Sequence, residues 1–278
     1  VPPSLVRCLA VTAVLIGATA PALAGSGAVA IRYAMTLAGL PIGAAALDAS
    51  VAGNGAYRIK VSARVGGILS LVSDGKGAAT ASGRMGTAKP MPTGYALNNI
   101  SGNKQQTVQM VIADGAITDV AINPDLRYRS DRVPVTEADK RGVIDPVSAM
   151  LMPVAGGGET MAPAACDRTL AVFDGAQRFD IKLAYSRMDQ VASKGYSGQA
   201  VVCSARYTPI SGHRPDREQT KFMAANRDME VWLAPVAGTR VLAPARIVVG
   251  TQIGRLVIAA TRFAQGGGIA DPTEANAN

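Results

Sequence analysis

Histidine is almost missing from this chain: His213 is the single one in 278 residues. That excludes metal sites and proton relays built on paired imidazoles, and it ties any Ser–His–Asp arrangement to one position. His213 lies in Gly212-His213-Arg214-Pro215, which has the composition of a turn, and no Gly-x-Ser-x-Gly elbow accompanies it. Aromatic residues make up only 4% of the chain. No basic run is interleaved with aromatics, as a groove for single-stranded nucleic acid requires, so nucleic acid is not an expected partner. Long hydrophobic runs are lacking too, except at the N-terminus.

That exception has the three parts of an export signal. Arg7 supplies the charge, Cys8–Ile16 the apolar stretch, and Ala22-Leu23-Ala24 the small-x-small pattern that places cleavage after Ala24. Pro21 and small residues weaken the run as a membrane span, and no later segment has spanning length. The expected location is the periplasm, with no stable span after cleavage. Lys and Arg number 28 against 20 Asp and Glu, a formal net charge of +8 that favours anionic surfaces such as lipid headgroups or envelope polymers. Two cysteines remain beyond the signal. In an oxidising compartment Cys166 and Cys203 are expected to pair.

Strand patterning dominates the rest of the chain. Tyr57–Val65 alternates strictly, with Tyr57, Ile59, Val61, Ala63 and Val65 on one face and Arg58, Lys60, Ser62 and Arg64 on the other. Asn54-Gly55 precedes it as a hairpin signal, and Ala28–Leu37 and Ile42–Val51 flank the reversal Gly39-Leu40-Pro41. Three consecutive antiparallel strands are therefore predicted. Gln106–Ile112 and Ala116–Ile122 make a further pair around Asp114-Gly115. The prolines of Lys89-Pro90-Met91-Pro92 argue against a central strand there, and Gly66–Asp74 reads equally as a helical turn or a strand end. The second half gives Thr169–Phe173, Gln177–Tyr185, Gly198–Tyr207, Met229–Leu233, Val241–Val249 and Arg255–Phe263. Gly39–Gly43 is echoed by Gly250–Gly254, as if two hairpins bracketed the sheet.

One short helix is predicted at Val147–Met152, with Asp145 as cap and Pro146 in the first turn. Apolar on nearly all sides, it should plug the concave face of a curved sheet. The glycines 156–158 suit a hinge within one β-rich domain over 25–264, near 153–160. Gly212–Asp228 reads as a polar connection, and 265–278 as a disordered tail.

Catalytic signals are weak. Ser73-Asp74-Gly75-Lys76 matches Ser-x-x-Lys in form, but Asp-Gly favours a turn where that motif needs a helix start. Asp145, Asp174 and Asp180 could supply paired carboxylates, yet Asp174-Gly175 is turn chemistry and Asp145 a cap. No catalytic residue, cofactor or metal is expected.

Several segments together resemble an exported proteobacterial family of unknown function, domain-of-unknown-function family 3108. They are Asp145–Met150, Val172–Gly175 with Arg178-Phe179-Asp180, Cys203–His213, Glu230–Pro235, and the opening Tyr33…Gly39…Ile42-Gly43. The resemblance runs over roughly residues 28–263. It implies an envelope protein whose antiparallel sheet is similar to the half-barrels of lipoprotein carriers, and it implies no reaction.

The resulting expectation is a mainly β protein, a curved antiparallel sheet or half-barrel with one short buried helix, that binds an amphiphile or envelope component without catalysis. Ile59, Val61, Val108, Met110, Val147, Met150 and Leu151 are the candidate apolar lining. Arg58, Lys60 and Arg64 are the candidate contacts to an anionic surface. The rival expectation is an assembly factor that docks an envelope protein through edge strands and the 212–228 loop.

Overall fold

The computed structural model describes residues 25–66, 75–127 and 129–266. The export signal, the tail beyond Gly266, and the ambiguous run from Gly67 to Asp74 lie outside the described residues.

The first half is an antiparallel meander of β1 (Gly27–Leu37), β2 (Leu40–Val51), β3 (Ala56–Val65), β4 (Lys76–Met85), β5 (Pro90–Ser101), β6 (Lys104–Ala113) and β7 (Ala116–Asn123). Turn chemistry sets its register. Ala38 and Gly39 (φ 50° and 83°), and likewise Asp114 and Gly115 (φ 51° and 73°), take the paired left-handed conformations of tight two-residue hairpins. The proline-bearing stretch is strand after all, and its placement explains how. Pro90–Pro92 pairs with β4 across a bulge, whereas β6 begins to pair only at Gly94, so the missing N–H groups fall where β5 has one neighbour.

After a connecting segment come β8 (Met152–Pro153), β9 (Arg168–Phe173), β10 (Arg178–Ser193), β11 (Tyr196–Ser211), β12 (Met229–Val236), β13 (Val241–Thr251) and β14 (Gly254–Gln265). All belong to one 14-stranded sheet in the order β7-β6-β5-β4-β3-β2-β1-β14-β13-β12-β11-β10-β9, with β8 pairing on β13. Because β1 pairs with β14, the two echoing hairpins do not bracket the sheet: they lie side by side at its middle, and Ala38 N–H donates to Arg255 O at 3.0 Å. Gln265, expected in the tail, is the last residue of β14, where its side chain bonds Ala237 N and Pro235 O.

The sheet curls without closing. Arg141 bridges Ala116 of β7, and Ile144 bridges Val172 of β9, so the two ends of the strand path approach within three residues of connecting chain. A strap over residues 141–151 thus spans the gap. Its apolar element is shorter than predicted: a single 3-10 turn, Ser148–Met150, followed at once by β8. Pairing of Met152 and Pro153 with β13 takes the backbone groups that a longer helix would have used. The one α-helix among the described residues, α1 (Glu218–Ala225), occupies the segment read as a polar connection. It has no buried residue, which is why no apolar stripe announced it.

Two main cores result. The inner face of β1–β7 packs with Val143, Val147, Leu151, Phe173 and the inward residues of β12 and β13. On the other side of β12 and β13, Leu233, Leu242, Leu170 and Val201 surround Cys166 and Cys203, which form a disulfide. β12 and β13 are therefore buried on both faces over 231–234 and 241–245, as the apolar runs there require. Arg240 ties down the glycine segment, donating to the carbonyls of Val154 (3.1 Å), Ala155 (3.4 Å) and Gly158 (2.9 Å).

Candidate functional site

The inner face of the meander has two unlike halves. Near the strap it is sealed: Ile59, Val108, Met110, Val147 and Leu151, five of the seven candidate lining residues, are buried at 6% exposure or less. At 1.5–3 kcal/mol for each large aliphatic side chain taken from water, roughly, these residues stabilise the fold and have no free surface for a ligand. The other half, toward the turns at 38–39 and 102–103, is open.

There Val61 is only partly buried and lines a groove of about 460 Å3. Met35, Ile42, Val65 and Leu97 form its walls, while Ala63, Gly77 and Ala79 leave its floor low. The cause is in the register. Ala63 stands opposite Gly77, and Val61 opposite Ala79. Side chains along one face thus shrink from Tyr57 and Ile59 to Ala63 just where the strap stops covering them. Met150, the seventh candidate, packs against the edge of the inner core and, with Met152, Leu170, Ile181, Met229 and Ile247, also lines a separate apolar pocket of about 190 Å3.

Arg58, Lys60 and Arg64 lie exposed on the outer face, as the alternation predicts. Sequence reasoning missed their neighbour Lys76, which opens β4 directly opposite Arg64. Arg32 on the same face is neutralised by Asp48 at 2.8 Å. Among the described residues, Arg58, Lys60, Arg64 and Lys76 make no ion pair. Met35, Leu97 and the small floor residues were missed as well. The available signal was a cross-strand decline in side-chain size, which appears only once the strands are in register.

The three carboxylates singled out as chemistry have structural work. Asp145 is fully buried, and its Oδ1 accepts from Val147 N–H (2.9 Å) and Ser148 N–H (2.8 Å), fixing the strap's 3-10 turn. Ser148 Oγ in turn bonds the Tyr57 hydroxyl at 2.6 Å. Burial pushes the Asp145 carboxyl above the usual aspartate range, and its Oδ2 has no partner. Asp174 Oδ1 accepts from Ala176 and Gln177 N–H (2.8 and 2.7 Å) in the β9–β10 turn, and burial raises this carboxyl too. Asp180 is paired with Arg178 at 2.7 Å. None of the three touches another. His213 contributes its carbonyl to Val133 N–H (2.9 Å), and the described residues hold no cluster of His, Cys, Asp and Glu of metal-binding kind. No helix among them is long and apolar enough to cross a membrane.

No curated protein matches the sequence. Among solved structures, the chain is similar to a β-barrel-like protein of domain of unknown function DUF1849 from Brucella abortus, at 9% identity and a TM-score of 0.49, covering 88% of this chain and 99% of that one. It is also similar to a putative lipoprotein from Parabacteroides distasonis, at 8% identity and a TM-score of 0.32, covering 86% and 95% respectively. Residues 32–261, from β1 to β14, fit the family described as protein of unknown function DUF3108, and the chain belongs to that family.

Proposed function

We propose that this protein is an exported, non-enzymatic envelope protein that holds the apolar part of an amphiphile in the groove at the open half of the curled sheet. The observation that carries this reading is the contrast within one face: Ile59 sealed in the core, then Val61 half-buried and Ala63 exposed two and four residues on, beside Gly77 and Ala79 in a low groove floor. At about 460 Å3 the groove falls within the roughly 300–1,000 Å3 of small-molecule sites. An acyl tail there gains about 0.8 kcal/mol per buried methylene. Eight methylenes then supply roughly 6 kcal/mol before the costs of ordering the ligand. The signal-like residues 1–24 and the disulfide support export and a periplasmic setting. Docking through sheet edges is less favoured, because Arg141 and Ile144 already bridge β7 and β9.

Native mass spectrometry of protein purified from its own periplasm without detergent tests the reading. A discrete added mass of lipid class is expected. Ala63→Trp, a substitution at an exposed position on the groove floor, should abolish that mass and leave the melting temperature within a few degrees of the parent. Bare protein that also shows no shift with any envelope lipid would refute the proposal.

A further inference from the structure

Arg64 and Lys76 are the last and first long side chains before the β3–β4 connection, and they stand directly opposite each other in the ladder. Residues so placed have Cβ atoms about 4.5–5.5 Å apart, and like charges there destabilise a sheet. Another like-charged pair, Arg32 opposite Arg262, has Asp48 bound to Arg32 at 2.8 Å. Lys60, two turns of the pleat away, has Asp48 opposite it on β2. Arg64 instead has Ala44 on its β2 side, and Lys76 has Ile100 on its β5 side, so among the described residues neither cation has a carboxylate opposite it. Both side chains line the inner groove and also a second depression of about 570 Å3 on the outer face. They therefore sit on the rim that joins the two.

We propose that Arg64 and Lys76 form the seat for the anionic headgroup of the amphiphile, and that this headgroup is a phosphate monoester on a single acyl chain. The inference rests on the reading of the groove as an acyl site and adds the ligand's charge to it. Two cations side by side call for about two negative charges, which a phosphate monoester supplies (roughly −1.5 to −2 near neutral pH) and a phosphodiester or carboxylate does not. The Arg64 guanidinium offers a planar fork suited to two phosphate oxygens, and the Lys76 ammonium adds a point charge. Ala63, on the strand between Val61 and Arg64, gives the chain an unobstructed path from rim to groove. Binding also relieves the cross-strand repulsion, so part of the affinity comes from a strain already present in the free protein.

The test uses the full mature chain and three probes: lysophosphatidic acid, the monoacylglycerol with the same acyl chain, and inorganic phosphate. Lysophosphatidic acid should bind at least about tenfold more tightly than the neutral lipid, the factor expected from one additional charge-assisted hydrogen bond. Arg64→Gln and Lys76→Gln should each erase most of that difference, weaken lysophosphatidic acid far more than monoacylglycerol, and hold or raise the melting temperature because the repulsion is gone. Inorganic phosphate alone should bind far more weakly than the lipid. Equal affinity for charged and neutral lipid, unaffected by either substitution, overturns the headgroup seat while the acyl groove stands. No binding of either lipid overturns both readings together. Phosphate that binds as tightly as the lipid, with no effect of Ala63→Trp, would show a free-anion site and overturn the proposal in that way.

Discussion

Asp145 gives the sharpest test of how the strap is held. Its Oδ1 fixes the 3-10 turn through two backbone N–H groups, while its charge, fully buried with Oδ2 unpartnered, opposes folding. Asp145→Asn should keep both accepted bonds and remove the charge. Asp145→Ala removes the bonds as well and leaves two buried donors exposed to an apolar core. With hydrogen bonds to a charged group contributing about 1.5–3 kcal/mol each, the alanine variant should lose roughly 3 kcal/mol or more. The asparagine variant should stay within about 1 kcal/mol of the parent near neutral pH, since the relieved desolvation offsets an imperfectly satisfied amide. A pH series separates the two terms. The folded carboxyl titrates above its unfolded value because burial disfavours the anion. The native state therefore binds the proton more tightly, and this stability contribution is complete below the unfolded value and lost as pH rises through the folded one. The parent protein should gain stability over Asp145→Asn as the pH falls through that window. Asp174, raised in the same sense, is common to both proteins and cancels in the difference. Urea unfolding followed by circular dichroism between about pH 4 and pH 8 reads the effect directly. An asparagine variant as unstable as the alanine one, with the same pH slope as the parent, would refute the argument.

The two cores allow two further tests. Reducing Cys166–Cys203, which closes a loop of sequence separation 37, should cost about 3–4 kcal/mol in the chain-entropy description, seen as a lower urea midpoint in dithiothreitol; an unchanged midpoint would show the bond adds nothing. Tyr33 donates its buried hydroxyl to the Pro244 carbonyl at 2.6 Å, and Tyr33→Phe removes that buried bond. A loss of about 1–2 kcal/mol is expected, and a variant as stable as the parent would argue that the bond contributes no net stability.

How much of the fold was legible in the sequence depends on side-chain contrast. β1 to β3, β6 and β7 were readable because one face is wet and the other dry, and the disulfide because only two cysteines lie beyond the signal-like segment. β12 and β13 showed as apolar runs because both faces are buried. The strap's plug was recognised by its composition, but not its length, because the β8 pairing that shortens it depends on Leu242 and Val241, far downstream in the chain. Curling of the sheet has the same non-local origin: Ile144 finds Val172, and β1 finds β14, through register that no local window contains.

β4 shows why the candidate site itself was hidden. Its inward positions Gly77, Ala79, Ala81 and Gly83 carry so little apolar surface that their alternation with outward Lys76, Thr80, Ser82 and Arg84 reads as a polar, small-residue run rather than as a strand. Glycine and alanine are also poor strand formers, and here the neighbours β3 and β5 hold the segment in place through full ladders on both sides. The same small side chains keep the inner face from filling, since the packed half of that face uses Tyr57, Ile59, Leu47 and Met110 to reach the strap. A larger residue at 77 or 79 would have made the strand easy to read and the groove shallower. Weak strand signal and open groove are thus one physical fact.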